Sequence, residues 1–164
     1  ENMISMIKDI RKMNIPVFGI CLGMQLMIIE YLRGEFFKKA TSEEFDMEGT
    51  NVITKLIPTD SNLGGSMRLG LKEITLCPNS NVKKIYGKEL IVERHRHRYA
   101  MNGLYKKYLI IDWNVSTSVD NITEVVEFKN HPWYIGTQYH PEYNSTPFNP
   151  HPLFLSFIEH CITI

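Results

Sequence analysis

Ile15-Pro16-Val17-Phe18-Gly19-Ile20-Cys21-Leu22-Gly23-Met24-Gln25 is the stretch on which the reading of this chain turns. Its first half, Ile15 to Ile20, is a short unbroken apolar run, as expected of a strand buried on both faces in a parallel sheet covered by helices. After the cysteine, Met24 to Arg33 supplies Leu26, Met27, Ile28, Ile29 and Tyr31 without a breaker before Gly34, so it reads as a mostly buried helix capped by that glycine. Glycines stand two positions to either side of Cys21, the layout of a nucleophile elbow with cysteine in place of serine. On such an elbow the nucleophile sits in strained backbone, and the glycines let strand and helix approach closely. The start of the helix favours thiolate over thiol, and the Leu22 N–H points where an oxyanion forms. A buried core cysteine is the competing reading.

Outward from this junction, Met3, Met6, Ile7, Ile10 and Met13 recur at three- and four-residue spacing and predict a helix packing through one stripe, stopped near Asn14. Downstream, residues 35–50 are mixed and polar. Val52 to Ile57 reads as a strand, Asn62 to Gly65 as a turn, Met67 to Leu76 as an extended segment and Val82 to Tyr86 as a short helix. Leu90 to Val92 opens a segment running into Glu93-Arg94-His95-Arg96-His97-Arg98-Tyr99. Tyr108 to Trp113 and Val125 to Phe128 read as strands, Asn130 to Pro132 as a turn, Trp133 to Tyr139 as a strand and Pro152 to Ile162 as a terminal helix. Neither a repeat nor a composition break divides the chain. The expectation is one α/β domain over residues 1–164, a doubly wound, mostly parallel sheet flanked by helices.

At 164 residues, 43% hydrophobic and 22% charged, the chain is long enough for one substantial core. Lysine and arginine number 18 against 18 aspartates and glutamates, so no overall charge draws it to nucleic acid or to an anionic membrane. Its apolar runs fall well short of the roughly 20 residues that span a bilayer. Cys21, Cys77 and Cys161 are an odd number without C-x-x-C spacing, which favours a reducing compartment and a cytoplasmic location. His95 and His97 share a strand face, but a third ligand at suitable spacing is missing, and no metal site is expected. Arg68 and Arg96 read as surface charges.

A base for Cys21 is found in His140-Pro141-Glu142, directly after a predicted strand. Proline holds His140 extended, so residues 140 and 142 project to one side and Glu142 can accept from one imidazole nitrogen. The other nitrogen is then free to take a proton from Cys21 and return it to a leaving amine. In a doubly wound sheet reactive loops gather at the carboxyl ends of strands, where Cys21 and His140 both fall. An ordinary loop histidine is the alternative.

Together these segments resemble the class I glutamine amidotransferases, a flavodoxin-like family, and within it the glutaminase domains of CTP synthases. Residues 19–25 and Gln138-Tyr139-His140-Pro141-Glu142 carry the broader likeness. Residues 63–70, 93–99, Ser145-Thr146-Pro147 and His151-Pro152-Leu153-Phe154 carry the narrower one. The resemblance implies a ligase component in which Cys21, His140 and Glu142 hydrolyse L-glutamine, with Leu22, Gly23, Met24, Gln25, Glu44 and Arg98 binding it. Glu43 would replace Glu44 after a one-residue shift. A glutamate and a bidentate arginine suit the ammonium and carboxylate of an amino acid.

The resemblance further implies that this domain needs no cofactor. ATP, Mg²⁺ and UTP belong to an N-terminal synthetase domain absent from the chain, GTP is an effector, and the complete enzyme is a homo-oligomer, a tetramer. The family's glycine-rich loop upstream of the nucleophile has no counterpart among the 20 residues before Cys21, so the domain is expected to lack its N-terminal strands. Loss of an oxyanion donor costs about 100- to 1,000-fold in rate, so the isolated chain is expected to be nearly inactive. The loop between Ile57 and Ser61 is expected to be shorter than the family's. A non-catalytic amidotransferase-like scaffold, disfavoured by the intact Cys21, His140 and Glu142, and a free-standing γ-glutamyl hydrolase of the same fold are the alternatives.

Overall fold

A computed structural model describes residues 1–57 and 67–163. The turn expected at Asn62 to Gly65 and the loop expected between Ile57 and Ser61 fall outside the described residues. The elements are α1 (Asn2–Lys12), β1 (Val17–Ile20), α2 (Leu22–Glu35), β2 (Ala40–Ser42), β3 (Asn51–Leu56), β4 (Arg68–Thr75), α3 (Asn81–Tyr86), β5 (Leu90–His97), β6 (Tyr99–Met101), α4 (Lys106–Leu109), β7 (Trp113–Ser118), β8 (Thr123–Phe128), β9 (Tyr134–Thr137) and α5 (Pro152–Ile162). Short 3₁₀ turns cover Gly103–Tyr105 and Pro141–Asn144. One sheet runs β1-β9-β8-β7-β4-β5 and a smaller one β2-β3-β6.

The larger sheet is covered on both faces. Met27, Ile28 and Tyr31 of α2 pack with Trp113, Val126 and Tyr134 on one side; Val82 of α3 and Leu153 of α5 pack with Val125, Trp133 and Ile135 on the other. Successive residues of β8 and β9 therefore serve opposite cores, Val126 and Tyr134 facing one and Val125 and Ile135 the other. The α/β class and the two-sided cover are as expected, but the mostly parallel sheet is not. Only β1 and β9 pair parallel in it, while β9-β8-β7-β4-β5 is antiparallel throughout. The turns after β7 and β8 are too short for the crossover that a parallel pair requires, and they return the chain as hairpins.

Three local expectations also change. Gly34 lies inside α2 rather than at its cap, because its backbone is not left-handed and the helix continues to Glu35, with the Phe36 N–H reaching the Leu32 carbonyl. Tyr108 to Trp113 does not form a strand. Tyr105, Tyr108 and Leu109 follow helical i, i+3, i+4 spacing, and both tyrosines meet Phe37 with ring centroids 5.3 and 4.9 Å away. Of the expected α1 stripe, Ile7 is buried and Ile10 half-buried, whereas Met3, Met6 and Met13 are exposed; Ile4, outside that stripe, packs partly against the core.

Nine consecutive residues of α2, Met24 to Leu32, are buried, as a helix enclosed on all sides requires. Its one buried carboxylate, Glu30, takes two hydrogen bonds from the Arg11 guanidinium at 2.8 and 2.9 Å, which ties α1 to it. Gly19 sets how closely β1 meets α2. A Cβ there would lie 2.2 Å from Met27 Sδ and 2.9 Å from the Gly23 carbonyl carbon and the Met24 nitrogen. The methionine tip can swing aside, but the backbone cannot. Gly19→Ala is therefore expected to destabilise the fold by about 1–3 kcal/mol, read as a fall in urea midpoint at unchanged slope. Gly23 contributes differently: a Cβ on it meets nothing within 4 Å, so the close approach uses its backbone and not its missing side chain.

Candidate active site

Cys21 joins β1 to α2 with φ 54° and ψ −104°, a positive φ that a side-chain-bearing residue rarely adopts. Its N–H donates to the Thr137 carbonyl at 2.7 Å and its carbonyl accepts the Gln25 N–H at 3.3 Å, which fixes the turn between sheet and helix. Burial pushes the Cys21 thiol up. The Leu22 N–H opposes this, Glu142 adds to it, a hydrogen bond from Gln138 opposes it and Glu44 adds to it, with a net upward result. The direction is opposite to that expected from the helix terminus, because desolvation and two nearby carboxylates outweigh the backbone donor and Gln138.

His140 follows β9 in extended backbone, φ −111° and ψ 90°, and its N–H donates to the Arg94 carbonyl of β5 at 3.0 Å. Its Nδ1 lies 2.6 Å from Glu142 Oε1, the donor–acceptor pair anticipated from the sequence. That contact places the proton on Nδ1 and leaves Nε2 as the nitrogen available for proton transfer. Cys21 and His140 line one cavity of about 480 Å³ together with Leu22, Gln25, Glu44, Arg98 and others. Among the described residues no hydrogen bond joins the sulfur to the imidazole; the sulfur instead accepts from Gln138 Nε2 at 3.7 Å.

Glu44 and Arg98 enter the cavity from separate elements. Arg98 occupies the bend where the chain leaves β5 in the large sheet for β6 in the small one, and its carbonyl accepts the Ile57 N–H at 2.9 Å. Glu44 follows β2 in a turn held by its own N–H on Ser42 Oγ at 3.2 Å. The neighbouring Glu43 is engaged elsewhere, accepting the Leu56 N–H at 2.6 Å, so Glu44 is the carboxylate that lines the cavity. Gly23 and Met24 do not line it. Met24 is fully buried in the core, where its side chain closes over Gly136.

Met67, Arg96, His97, Tyr99 and Tyr143 also line the cavity without having been singled out as substrate residues. Strand alternation was the available signal for part of this set, since Arg94, Arg96 and Arg98 are exposed while His95 and His97 turn inward. Burial pushes the His97 imidazole down to about 4. Two expectations are corrected behind this wall. Arg68 is buried, not a surface charge, and pairs with the fully buried Glu124. Glu124 also supplies the third donor that the sequence spacing lacked, its carboxylate lying within 4.8 Å of the His95 and His97 nitrogens. Both its oxygens are already engaged, one by Arg68 and the other by His95 Nε2 at 2.8 Å, so the cluster is an ion-pair network.

A further buried carboxylate, Glu93, braces the turn that carries His140. It accepts from Tyr86 at 2.8 Å, from Asn144 at 2.7 Å and from His151 Nε2 at 3.0 Å. His151 Nδ1 accepts the Leu153 N–H, which leaves the proton on Nε2 for Glu93. Tyr86 also meets the Tyr139 hydroxyl at 2.9 Å. Both ends of the segment 139–144 are thus fastened to one point.

The chain is 46% identical over 176 residues to a protein of Pelagibacter ubique (strain HTCC1062) described as CTP synthase, covering 97% of this chain and 32% of that protein. Against the CTP synthase of Hydrogenobaculum sp. (strain Y04AAS1) identity is 45% over 156 residues, covering 91% of this chain and 29% of that one. The chain therefore spans about a third of the length of these curated relatives. Among solved structures it is similar to "Trypanosoma brucei CTPS - glutaminase domain with bound acivicin", with a TM-score of 0.91, 32% identity and coverage of 98% of this chain and 65% of that one. A glutamine amidotransferase from Thermotoga maritima shares the fold, at 17% identity and a TM-score of 0.52 over 85% of this chain and 46% of that one. No helix among the described residues is long and apolar enough to cross a membrane. The family model described as "Glutamine amidotransferase class-I" matches residues 1–160, and with an elbow cysteine and a carboxylate-held histidine on one cavity the chain belongs to that family.

Proposed function

We propose that this chain is the glutaminase part of a CTP synthase, hydrolysing L-glutamine and supplying ammonia for the ATP-dependent amination of UTP. The observation that carries this reading is the meeting, in one cavity, of a cysteine on a positive-φ turn, a histidine held by a carboxylate, and a glutamate and an arginine from separate elements. Arg98 suits the α-carboxylate of glutamine and Glu44 its α-ammonium. That pairing leaves the side-chain carboxamide to reach Cys21.

The chemistry follows from these assignments. As the Cys21 sulfur attacks the carboxamide carbon, its proton passes to His140 Nε2, and the Leu22 N–H faces the oxyanion. His140 returns the proton to the departing nitrogen, ammonia leaves, and a glutamyl thioester remains on Cys21. A water then gives its proton to His140 and attacks the thioester carbon; the sulfur departs, takes the proton back, and glutamate is released. Glu142 keeps the imidazole in the working tautomer at each proton transfer.

On this reading the partner is a synthetase part of the same enzyme, where ATP, Mg²⁺ and UTP are used. GTP acts as effector, the complete enzyme is a cytoplasmic homo-tetramer, and neither nucleic acid nor membrane is a partner. Leu22, Gln25, Glu44 and Arg98 bind glutamine through side chain or backbone, with Gly23 and Met24 restricted to backbone contacts. The test is exposure of the complete enzyme to a diazoketone analogue of glutamine. Stoichiometric labelling at Cys21, blocked by excess glutamine and accompanied by loss of glutamate release, is expected. Labelling at Cys77, or none, overturns the assignment in favour of a scaffold.

A further inference from the structure

A line of hydrogen bonds runs from a backbone carbonyl to the Cys21 sulfur. The Tyr99 carbonyl accepts from Gln25 Nε2 at 3.0 Å, the same nitrogen donates to Gln138 Oε1 at 3.1 Å, and Gln138 Nε2 donates to Cys21 Sγ at 3.7 Å. Gln25 and Gln138 are 3% and 0% exposed, so water does not compensate a reversed amide. A peptide carbonyl can only accept. It obliges Gln25 to turn its NH₂ toward Tyr99. Because that NH₂ also meets Gln138, the second amide must show its oxygen to Gln25 and its own NH₂ to the sulfur. One peptide group, locked in β6, thereby sets the polarity of the whole line.

A buried N–H aimed at sulfur is a stronger partner for the thiolate than for the thiol. We propose that Tyr99, Gln25 and Gln138 form a directional amide relay that holds the Cys21 sulfur in place and favours its anionic form, Gln138 being the positioning residue in contact. The relay works against burial and against the Glu142 and Glu44 carboxylates near the sulfur. His140, Glu142 and Tyr143 belong to the turn after β9, and Glu44 to the turn after β2. Arg96, His97, Arg98 and Tyr99 face the cavity from β5, β6 and the bend between them. The proposal rests on Cys21 being the nucleophile of a glutaminase site, but its test reads the thiol alone.

The complete enzyme is treated with iodoacetamide across a pH series, and modification of Cys21, Cys77 and Cys161 is followed separately by mass spectrometry. Gln25→Glu keeps the size of the side chain but presents acceptors to Gln138, which turns the Gln138 oxygen toward the sulfur. Gln138→Met removes the donor. Each is expected to move the Cys21 midpoint up by about one pH unit, slowing its alkylation about tenfold at neutral pH, with Cys77 and Cys161 unchanged. Unchanged Cys21 midpoints in a folded variant overturn the relay. Acceleration of the half-buried Cys77 marks a variant that has lost its fold, and the second variant then decides. The unsubstituted protein offers a check free of folding. The Gln138 side-chain amide signal in a ¹⁵N–¹H spectrum is expected to titrate with the Cys21 midpoint and to stop doing so in Cys21→Ser; a pH-independent signal overturns the relay. Alkylation proceeds whether or not glutamine is hydrolysed, so failure of the relay and failure of the glutaminase reading are seen separately.

Discussion

Cys21→Ser is expected to lower glutamate release by the complete enzyme by about 10⁴-fold or more, while glutamine still binds with a dissociation constant within about threefold of the unsubstituted value. The two effects separate because they use different atoms. In the proposed assignment binding draws on Glu44 and Arg98, which enter the cavity from the turn after β2 and the bend before β6 and do not depend on the sulfur. Turnover needs a nucleophile that an imidazole can deprotonate, and a serine hydroxyl is far less acidic than a thiol. The positive-φ backbone at residue 21 is kept, since serine has a side chain of similar size. Glutamate release and calorimetric titration with glutamine measure the two quantities. A variant that turns over normally, or one that no longer binds, removes Cys21 from the role assigned to it.

The second large effect concerns stability. Glu124→Ala is expected to destabilise the fold by about 3–5 kcal/mol, because it leaves the Arg68 guanidinium and the His95 imidazole facing each other in the interior without their shared carboxylate. Burial pushes the Glu124 carboxyl up, but the hydrogen bond and charge of His95 and those of Arg68 outweigh it and hold it below the usual carboxylate range. A carboxyl depressed in the folded state stabilises above its unfolded value, and that contribution disappears as pH falls through the lower, folded value. The unsubstituted protein should therefore lose stability steadily on acidification below about pH 4.3, the ordinary range for glutamate. Glu124→Ala starts lower and should show a shallower acid slope. Urea midpoints at neutral and acid pH read both.

What the sequence disclosed was local. The apolar run into Cys21, the buried helix after it and the His140-Pro141-Glu142 turn each carry their signal within a few residues, and each is found where expected. The misses involve partners far apart in the chain. Glu124 meets His95 across 29 residues and Arg68 across 56, and Gln138 meets Cys21 across 117. No periodicity encodes such distances. The antiparallel course of β9-β8-β7 follows from the shortness of the connecting turns, whereas the parallel expectation came from the apolar run Ile15 to Ile20, whose strand β1 is the one that does pair parallel in that sheet. At residues 105–109, aromatic side chains at helical spacing were obscured by their β-forming character; packing on Phe37 decided between the two.

The three hydrogen-bond donors gathered on Glu93 come from helix α3, from the turn behind the histidine and from the start of helix α5. None of the four can drift alone, since changing one leaves the buried Glu93 short of a partner. Across related chains these positions should be inherited as a block, replaced together or retained together, even though all four lie outside the pocket wall and none carries out a chemical step.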